Sequence, residues 1–191
     1  MLAQITTVKT RLGITSGVDD TILTNFIRHV SGRFDQVCNR RFERLVNATY
    51  EFEAGAREIL PDRFPIETVA SFDLKTTESE GWVSQTGYDF IIRRSCAVSL
   101  YAILGYSYQL GRMTYTGGYV TPGTTPGSGQ TALPDEIEQS CVEQVSYWYQ
   151  QRKQLGLISV SEGGASASKL AQLELLPNVQ AALKQYIRVI M

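Results

Sequence analysis

Histidine occurs once in the 191 residues, cysteine three times and tryptophan twice. Metal clusters and nucleophile–base pairs usually draw on histidine, so a solitary His29 removes much of the catalytic repertoire. It sits at the flank of an apolar stripe, where a half-buried structural role is expected. Cys38, Cys96 and Cys141 are odd in number, far apart and never in a C-x-x-C pair. That argues against a disulfide framework or a zinc site and for three reduced thiols, Cys38 and Cys141 acting as small hydrophobes. No apolar run approaches the roughly 20 residues of a membrane span, and Met1 to Lys9 lacks the basic-then-apolar pattern of a secretory signal. Charge of either sign is scarce in excess: 18 Lys and Arg face 19 Asp and Glu, for a net charge of −1. That balance removes any whole-protein attraction to nucleic acid or a membrane surface. With 43% hydrophobic residues, a chain of this length buries roughly 70% of its unfolded surface and needs no metal to hold a core.

The common enzyme signatures are missing as well. There is no P-loop, no G-x-G-x-x-G after a strand, no G-x-S-x-G elbow and no H-E-x-x-H. Gly117-Gly118 and Gly163-Gly164 lack the lysine or helix that a phosphate cradle needs. The carboxylate pairs read as structure: Glu51 and Glu53 as the solvent face of a strand, Asp135 and Glu136 as helix-start electrostatics, Glu78 and Glu80 as a turn. No catalytic residue, metal ligand or cofactor site is expected.

What is present is a clear order of elements. Ile5, Val8 and Leu12 suggest a short helix over 2–12, ended by Gly13. Ile22, Leu23, Phe26, Ile27, Val30, Phe34, Val37 and Cys38 recur at spacings of three and four, predicting a long helix over 19–42 with Asp19 and Asp20 at its start. From Ala48 the period changes to two, with Tyr50 and Phe52 alternating with Glu51 and Glu53. Further strands are expected at Val69 to Lys75, Tyr88 to Ile92, Cys96 to Leu104 and Arg112 to Tyr119, in one small antiparallel sheet of about four or five strands within 48–119. Residues 120–131, rich in Pro, Gly and Thr, predict a long mobile loop. Leu133-Pro134-Asp135-Glu136-Ile137 opens a helix over 134–152, on which Tyr147 lies about 150° from the apolar stripe and should face outward. A Gly/Ser/Ala-rich segment, Gly156 to Ser168, precedes a last helix over 177–191 carrying Val179, Leu183, Tyr186, Ile187 and Ile190 on one face. The expected fold is thus α+β but mainly α, with one domain over 1–176 and a separate C-terminal helix that packs at home or docks on a partner.

Charge is segregated along the chain. Residues 1–46 hold seven Lys and Arg against four Asp and Glu, whereas 47–132 hold six against nine. Arg28, Arg33, Arg40, Arg41 and Arg44 fit either a protein interface, a solvated helix face or a grip on phosphates. Ten tyrosines, seven of them between Tyr101 and Tyr149, add a modest signal for assembly, because tyrosine joins apolar area to a polar tip.

Taken in order, the phrases Cys38-Asn39-Arg40-Arg41-Phe42, Ile59-Leu60-Pro61, Phe64-Pro65-Ile66-Glu67-Thr68-Val69, Met113-Thr114-Tyr115-Thr116-Gly117-Gly118-Tyr119, Leu133-Pro134-Asp135-Glu136-Ile137, Tyr147-Trp148-Tyr149-Gln150-Gln151-Arg152 and Leu175-Leu176-Pro177-Asn178-Val179 resemble the head-to-tail connector (adaptor, or head-completion) proteins of tailed bacteriophages. The insertion Val120 to Thr131 departs from that pattern. The resemblance implies a helical bundle with a small β insertion. Copies would form a homo-oligomeric ring, a dodecamer, in the virion neck after synthesis in the host cytoplasm. The ring would bind the portal protein above and a stopper or tail-completion protein below, with DNA passing through without sequence-specific contact and no membrane involved. On this reading Arg28, Arg33, Arg40, Arg41, Arg44 and Tyr147 would lie at subunit contacts, and Val179, Leu183, Tyr186, Ile187 and Ile190 at the portal. Thr121, Pro122, Thr124, Thr125 and Pro126 would face the channel or the tail. A neck or tail-completion ring without portal contact, or a small DNA-binding factor, are the alternatives.

Overall fold

In a computed structural model that describes residues 1–152, 161–162, 165–166 and 174–188, the chain divides into two compact units. One comprises Met1–Cys38 and Pro134–Ile187, the other Asn39–Leu133 with Arg188.

The first unit is helical. Helix α1 spans Ile5–Leu12 and stops at Gly13, whose φ of 68° places it in the left-handed region. Helix α2 covers Asp20–Val37. The expected helix over 19–42 is therefore too long: Asn39 turns left-handed at φ 49°, a conformation asparagine tolerates, and Arg40 and Arg41 leave the helix. Asp19 makes no side-chain cap to the helix backbone; its carboxylate instead accepts the Tyr149 hydroxyl.

Helix α3, Asp135–Gln151, is the hub of this unit. Ile137, Cys141, Val142, Val145, Trp148 and Tyr149 are buried, and so are Ser140, Gln144 and Ser146 on the remaining faces. A helix enclosed this fully is packed on several sides, here by α1, α2 and α4, the last over Pro177–Leu183. Gln144 sits fully buried, its side-chain oxygen accepting Leu176 N–H at 2.8 Å and its amide donating to the Glu174 carbonyl at 3.5 Å. That one side chain positions the entry to α4.

The second unit is β. Strands β1 (Leu45–Glu53), β3 (Ile66–Lys75), β4 (Val83–Gln85) and β7 (Leu110–Gly117) form one antiparallel sheet in the order β1-β7-β3-β4. Strands β2 (Glu58–Ile59), β5 (Phe90–Arg93) and β6 (Ala97–Leu100) form a second, ordered β2-β6-β5. Phe72, Met113, Tyr115, Ile59, Val98, Leu100 and Leu104 build the shared core, with Tyr50 and Phe52 packed against it. A further pair, Ser161–Glu162 with Ala165–Ser166, follows later in the chain.

The expectation of a mainly α helical bundle with a small β insertion is overturned by this architecture. Among the described residues helix and strand take nearly equal shares, 32% and 28%, and seven strands fill the two antiparallel sheets of the second unit. The reason is that the β segment closes its own core between two sheets, so it is a structural unit of its own and not an excursion from a bundle.

Gly117 and Gly118 show why the Thr-Gly-Gly-Tyr phrase suits the end of β7. A Cβ on Gly117 would stand 2.9 Å from the Arg63 carbonyl oxygen, and one on Gly118, at φ 101°, would stand 2.8 Å from Arg44 Cα and Glu43 O. Beyond them, Val120 N–H donates to Thr131 O at 2.9 Å and Leu133 N–H to Val120 O at 3.0 Å. The 120–131 segment is therefore pinched shut at its base, in the manner of an Ω-loop.

Two outcomes follow. Gly118→Ala should lower stability by about 2–4 kcal/mol in urea denaturation, combining left-handed strain with a backbone clash. On the alkaline side, burial pushes the Cys141 thiol up to about 12, burial raises Tyr115, and the bond to Asp19 raises Tyr149. The unfolded chain loses these protons at lower pH than the folded one, so stability should fall from about pH 8.5 upward. Urea midpoints at neutral pH and at about pH 10.5 test the sign.

Candidate assembly surfaces

The five arginines singled out by sequence play four different parts. Arg28 and Arg33 are exposed on α2, beside the shallow recess over Gly32 that His29 and Gln36 also line. His29 is exposed, not half-buried as expected, and lays its ring against Trp148 at 5.1 Å in an edge contact.

Arg40 is placed where an interface residue would not be. Only 3% exposed, its guanidinium lies 3.4 Å from the Phe64 ring centre, 4.7 Å from Phe42 and 5.3 Å from Tyr119, and it donates to the Phe64 carbonyl. Three aromatic faces substitute for part of its hydration. Arg41, its exposed neighbour, instead contributes backbone, bridging to Arg63 with its N–H on Asp62 O at 2.8 Å. Arg44 makes a bidentate pair with Glu67 at 2.7 and 2.8 Å, and that bonding raises the guanidinium above its ordinary value.

Tyr147 is half-buried rather than turned fully outward, because α3 is enclosed on more sides than its stripe indicates. Val179 and Leu183 are fully buried and pack at home, the Leu183 carbonyl accepting the Cys38 thiol. Tyr186 is half-buried with its hydroxyl 3.3 Å from Glu136, and Ile187 is 43% exposed. Helix α4 ends at Leu183 and is followed by a 3₁₀ turn, Lys184–Tyr186, so the continuous helix expected over 177–191 is not formed. Ile190 lies outside the described residues. In the loop, Thr121 and Pro122 are half-buried while Thr124, Thr125 and Pro126 are exposed.

Sequence reasoning missed the most exposed aromatic surface as a unit. Tyr101, Tyr106 and Tyr108 are 66%, 66% and 76% exposed, and the last two stack with ring centres 5.4 Å apart. Ile103 and Leu110 flank them at 46% and 41% exposure. The clustering of tyrosines in the sequence was the available signal; the turn that turns them outward was not visible.

Among the described residues no group of three or more His, Cys, Asp or Glu could hold a metal ion, and no helix is long and apolar enough to cross a membrane. The architecture is that of an α+β protein whose distinctive surfaces are patches of charge and aromatic side chains. It has known counterparts. The fold matches a chain from the neck of an empty gene transfer agent (GTA) particle computed with C6 symmetry, at a TM-score of 0.61 and 11% identity, covering 100% of this chain and 91% of that one. A chain from the virion of a native GTA particle matches with a TM-score of 0.60 and 12% identity over the same shares. A third, from the neck of a native GTA particle computed with C12 symmetry, gives 0.52 and 13%, again over 100% and 91%. At these identities the likeness establishes a shared fold. No protein-family model and no curated protein matches the sequence.

Arg40→Ala should cost about 3 kcal/mol, from a desolvated cation–π contact and a charged hydrogen bond, whereas Arg28→Glu and Arg33→Glu should each shift stability by less than about 0.5 kcal/mol. Urea midpoints of the three variants separate the buried guanidinium from the surface ones.

Proposed function

We propose that this protein is a structural component of the neck of a tailed-phage-like particle, assembling as a ring through which DNA passes between capsid and tail. The observation that carries this reading is a fold likeness that runs the whole length of the chain, through both units, to chains from GTA neck and virion structures. The C6 and C12 symmetry of two of those structures is consistent with copies arranged around an axis, a dodecamer being the natural count.

A closed ring needs two different, mutually complementary surfaces on each copy. Exposed Arg28, Arg33 and Arg41 are candidate contributors, together with half-buried Tyr147; Arg40 and Arg44 serve within the chain. Near-neutral net charge suits a channel wall, because every phosphate neutralised by a lysine or arginine adds salt-sensitive affinity that resists sliding. The loop residues Thr124, Thr125 and Pro126 are available to the lumen or to the protein below.

Portal binding would fall to Ile187 and the turn around it, since Val179 and Leu183 are spent in the core of the helical unit. That burial favours, as the second reading, a neck ring protein without portal contact.

Native mass spectrometry of the purified protein, alone and mixed with its cognate portal protein, tests both. The expected result is a many-copy complex on the portal. A many-copy ring that ignores the portal selects the second reading. A protein that remains monomeric in both conditions overturns the neck-ring function.

A further inference from the structure

The β unit is electrically polarised along its strands. Antiparallel order brings the start of β3, the end of β7 and the β5–β6 turn to one end of the unit, where Ile66 N–H donates to Ser95 O at 2.6 Å and Gly118 N–H to Pro65 O at 2.9 Å. That end carries Arg41, Arg63, Arg93 and Arg94, together with the Arg44–Glu67 pair and exposed Glu43, whose carbonyl accepts from the Arg63 guanidinium. Arg94 and Ser95 both stand left-handed, at φ 49° and 55°. Asparagine and glycine are the residues that such a turn normally selects, so this turn accepts backbone strain and presents an arginine at its tip. Arg93 and Arg94 are exposed, and no hydrogen bond or ion pair holds either side chain to another described residue.

At the opposite end lie the finish of β1, the start of β7 and the 101–109 turn. Here Glu53, Glu58 and Asp89 are exposed on the same side as Tyr101, Tyr106 and Tyr108, against one exposed cation, Arg57, while Lys75 is paired with Glu78. The turn is firmly held: buried Gln109 accepts Tyr106 N–H at 2.7 Å through its side-chain oxygen and donates to Thr76 Oγ1 at 3.1 Å, while Ala54 exchanges backbone bonds with Gln109 and Leu104. The tyrosines are thus displayed on a preorganised platform, which lowers the entropy cost of covering them.

Resting on the neck-ring reading, we propose that the arginine end of one copy's β unit docks on the tyrosine-and-carboxylate end of the β unit of the next copy. The occupant is a second copy because the two ends match in charge and in chemistry. Guanidinium groups pair with carboxylates and lie over tyrosine rings, and arginine and tyrosine are the side chains that dominate interface energetics. Two unlike ends also make the contact heterologous, the geometry that closes rings. A phosphate backbone would use the arginine end alone and leave the tyrosine platform uncovered.

The test uses full-length protein with complementary defects. One variant carries Arg93→Glu and Arg94→Asp, the aspartate chosen because it tolerates the left-handed position; the other carries Tyr106→Ala and Tyr108→Ala. Native mass spectrometry over a concentration series, with and without the portal protein, reads assembly. Thermal melts confirm that both variants are folded. Each variant alone should lose self-association by about tenfold or more in dissociation constant. Mixed one to one, the pair should recover a dimer and nothing larger, because one intact junction remains.

Variants that assemble as wild type overturn the proposal, as does a mixture that stays monomeric. Intact rings from the arginine variant, with weakened and less salt-dependent retention of duplex DNA, would also overturn it and assign that end to phosphates. In those three cases the wild-type ring stands. A wild-type chain that never assembles overturns the neck-ring reading along with this one.

Discussion

One end of the β unit closes on a buried cation. A guanidinium at 3% exposure would be costly to desolvate on its own, and the fold tolerates Arg40 because Phe42, Phe64 and Tyr119 surround it and the Phe64 carbonyl accepts from it. Those partners come from three stretches of chain: the segment leaving α2, the approach to β3 and the exit from β7. Drawing them together sets where β1, β7 and β3 begin and end relative to one another. It also explains why Gly117 and Gly118 stand beside it, since the same convergence leaves no room for a Cβ against Arg63, Pro65 and Arg44.

That convergence has an electrostatic consequence. By sequence, residues 47–132 form the acidic stretch, with nine carboxylates against six cations. In space the stretch is not uniformly acidic. Strand reversal carries Arg63, Arg93 and Arg94 to the end where Arg41 enters beside Glu43, and leaves Glu53, Glu58 and Asp89, with Arg57, on the side of the tyrosines. The surplus of carboxylates in 47–132 is therefore not spread evenly but gathered toward one end of the β unit. Contiguous sequence charge reports composition; antiparallel topology decides which charges share a surface.

The helices were legible where one apolar face decides the structure. The three-and-four spacing of Leu23, Ile27, Val30 and Phe34 locates α2, and alternation from Ala48 to Glu53 locates β1. What could not be read depends on neighbours. Ser140, Gln144 and Ser146 look like the wet side of α3 until α1, α2 and α4 are known to enclose it. Glu58–Ile59 is too short to show a period, so the second sheet was invisible and one sheet was expected. Among the arginines, sequence treats Arg28, Arg33, Arg40, Arg41 and Arg44 alike, whereas burial, backbone pairing and a carboxylate partner give them separate roles. Of the exposed features, Arg28 and Arg33 on α2 were legible from the helical period; the tyrosine platform depends on Gln109 and Ala54 bonds that no local pattern announces.

Set beside a DNA conduit, these features are mutually consistent in physical terms. A binder of DNA gains affinity with every phosphate it neutralises and releases condensed counterions in doing so, which favours a broad cationic face and a positive total charge. A conduit needs the reverse: cohesion between copies with little net attraction for the polymer inside. Under the proposed docking, cations and anions at opposite ends of one β unit would meet both requirements, each patch being neutralised by a neighbouring copy instead of by DNA. Because the two ends are unlike, the proposed docking joins them head to tail, the kind of contact that closes a ring when its rotation closes.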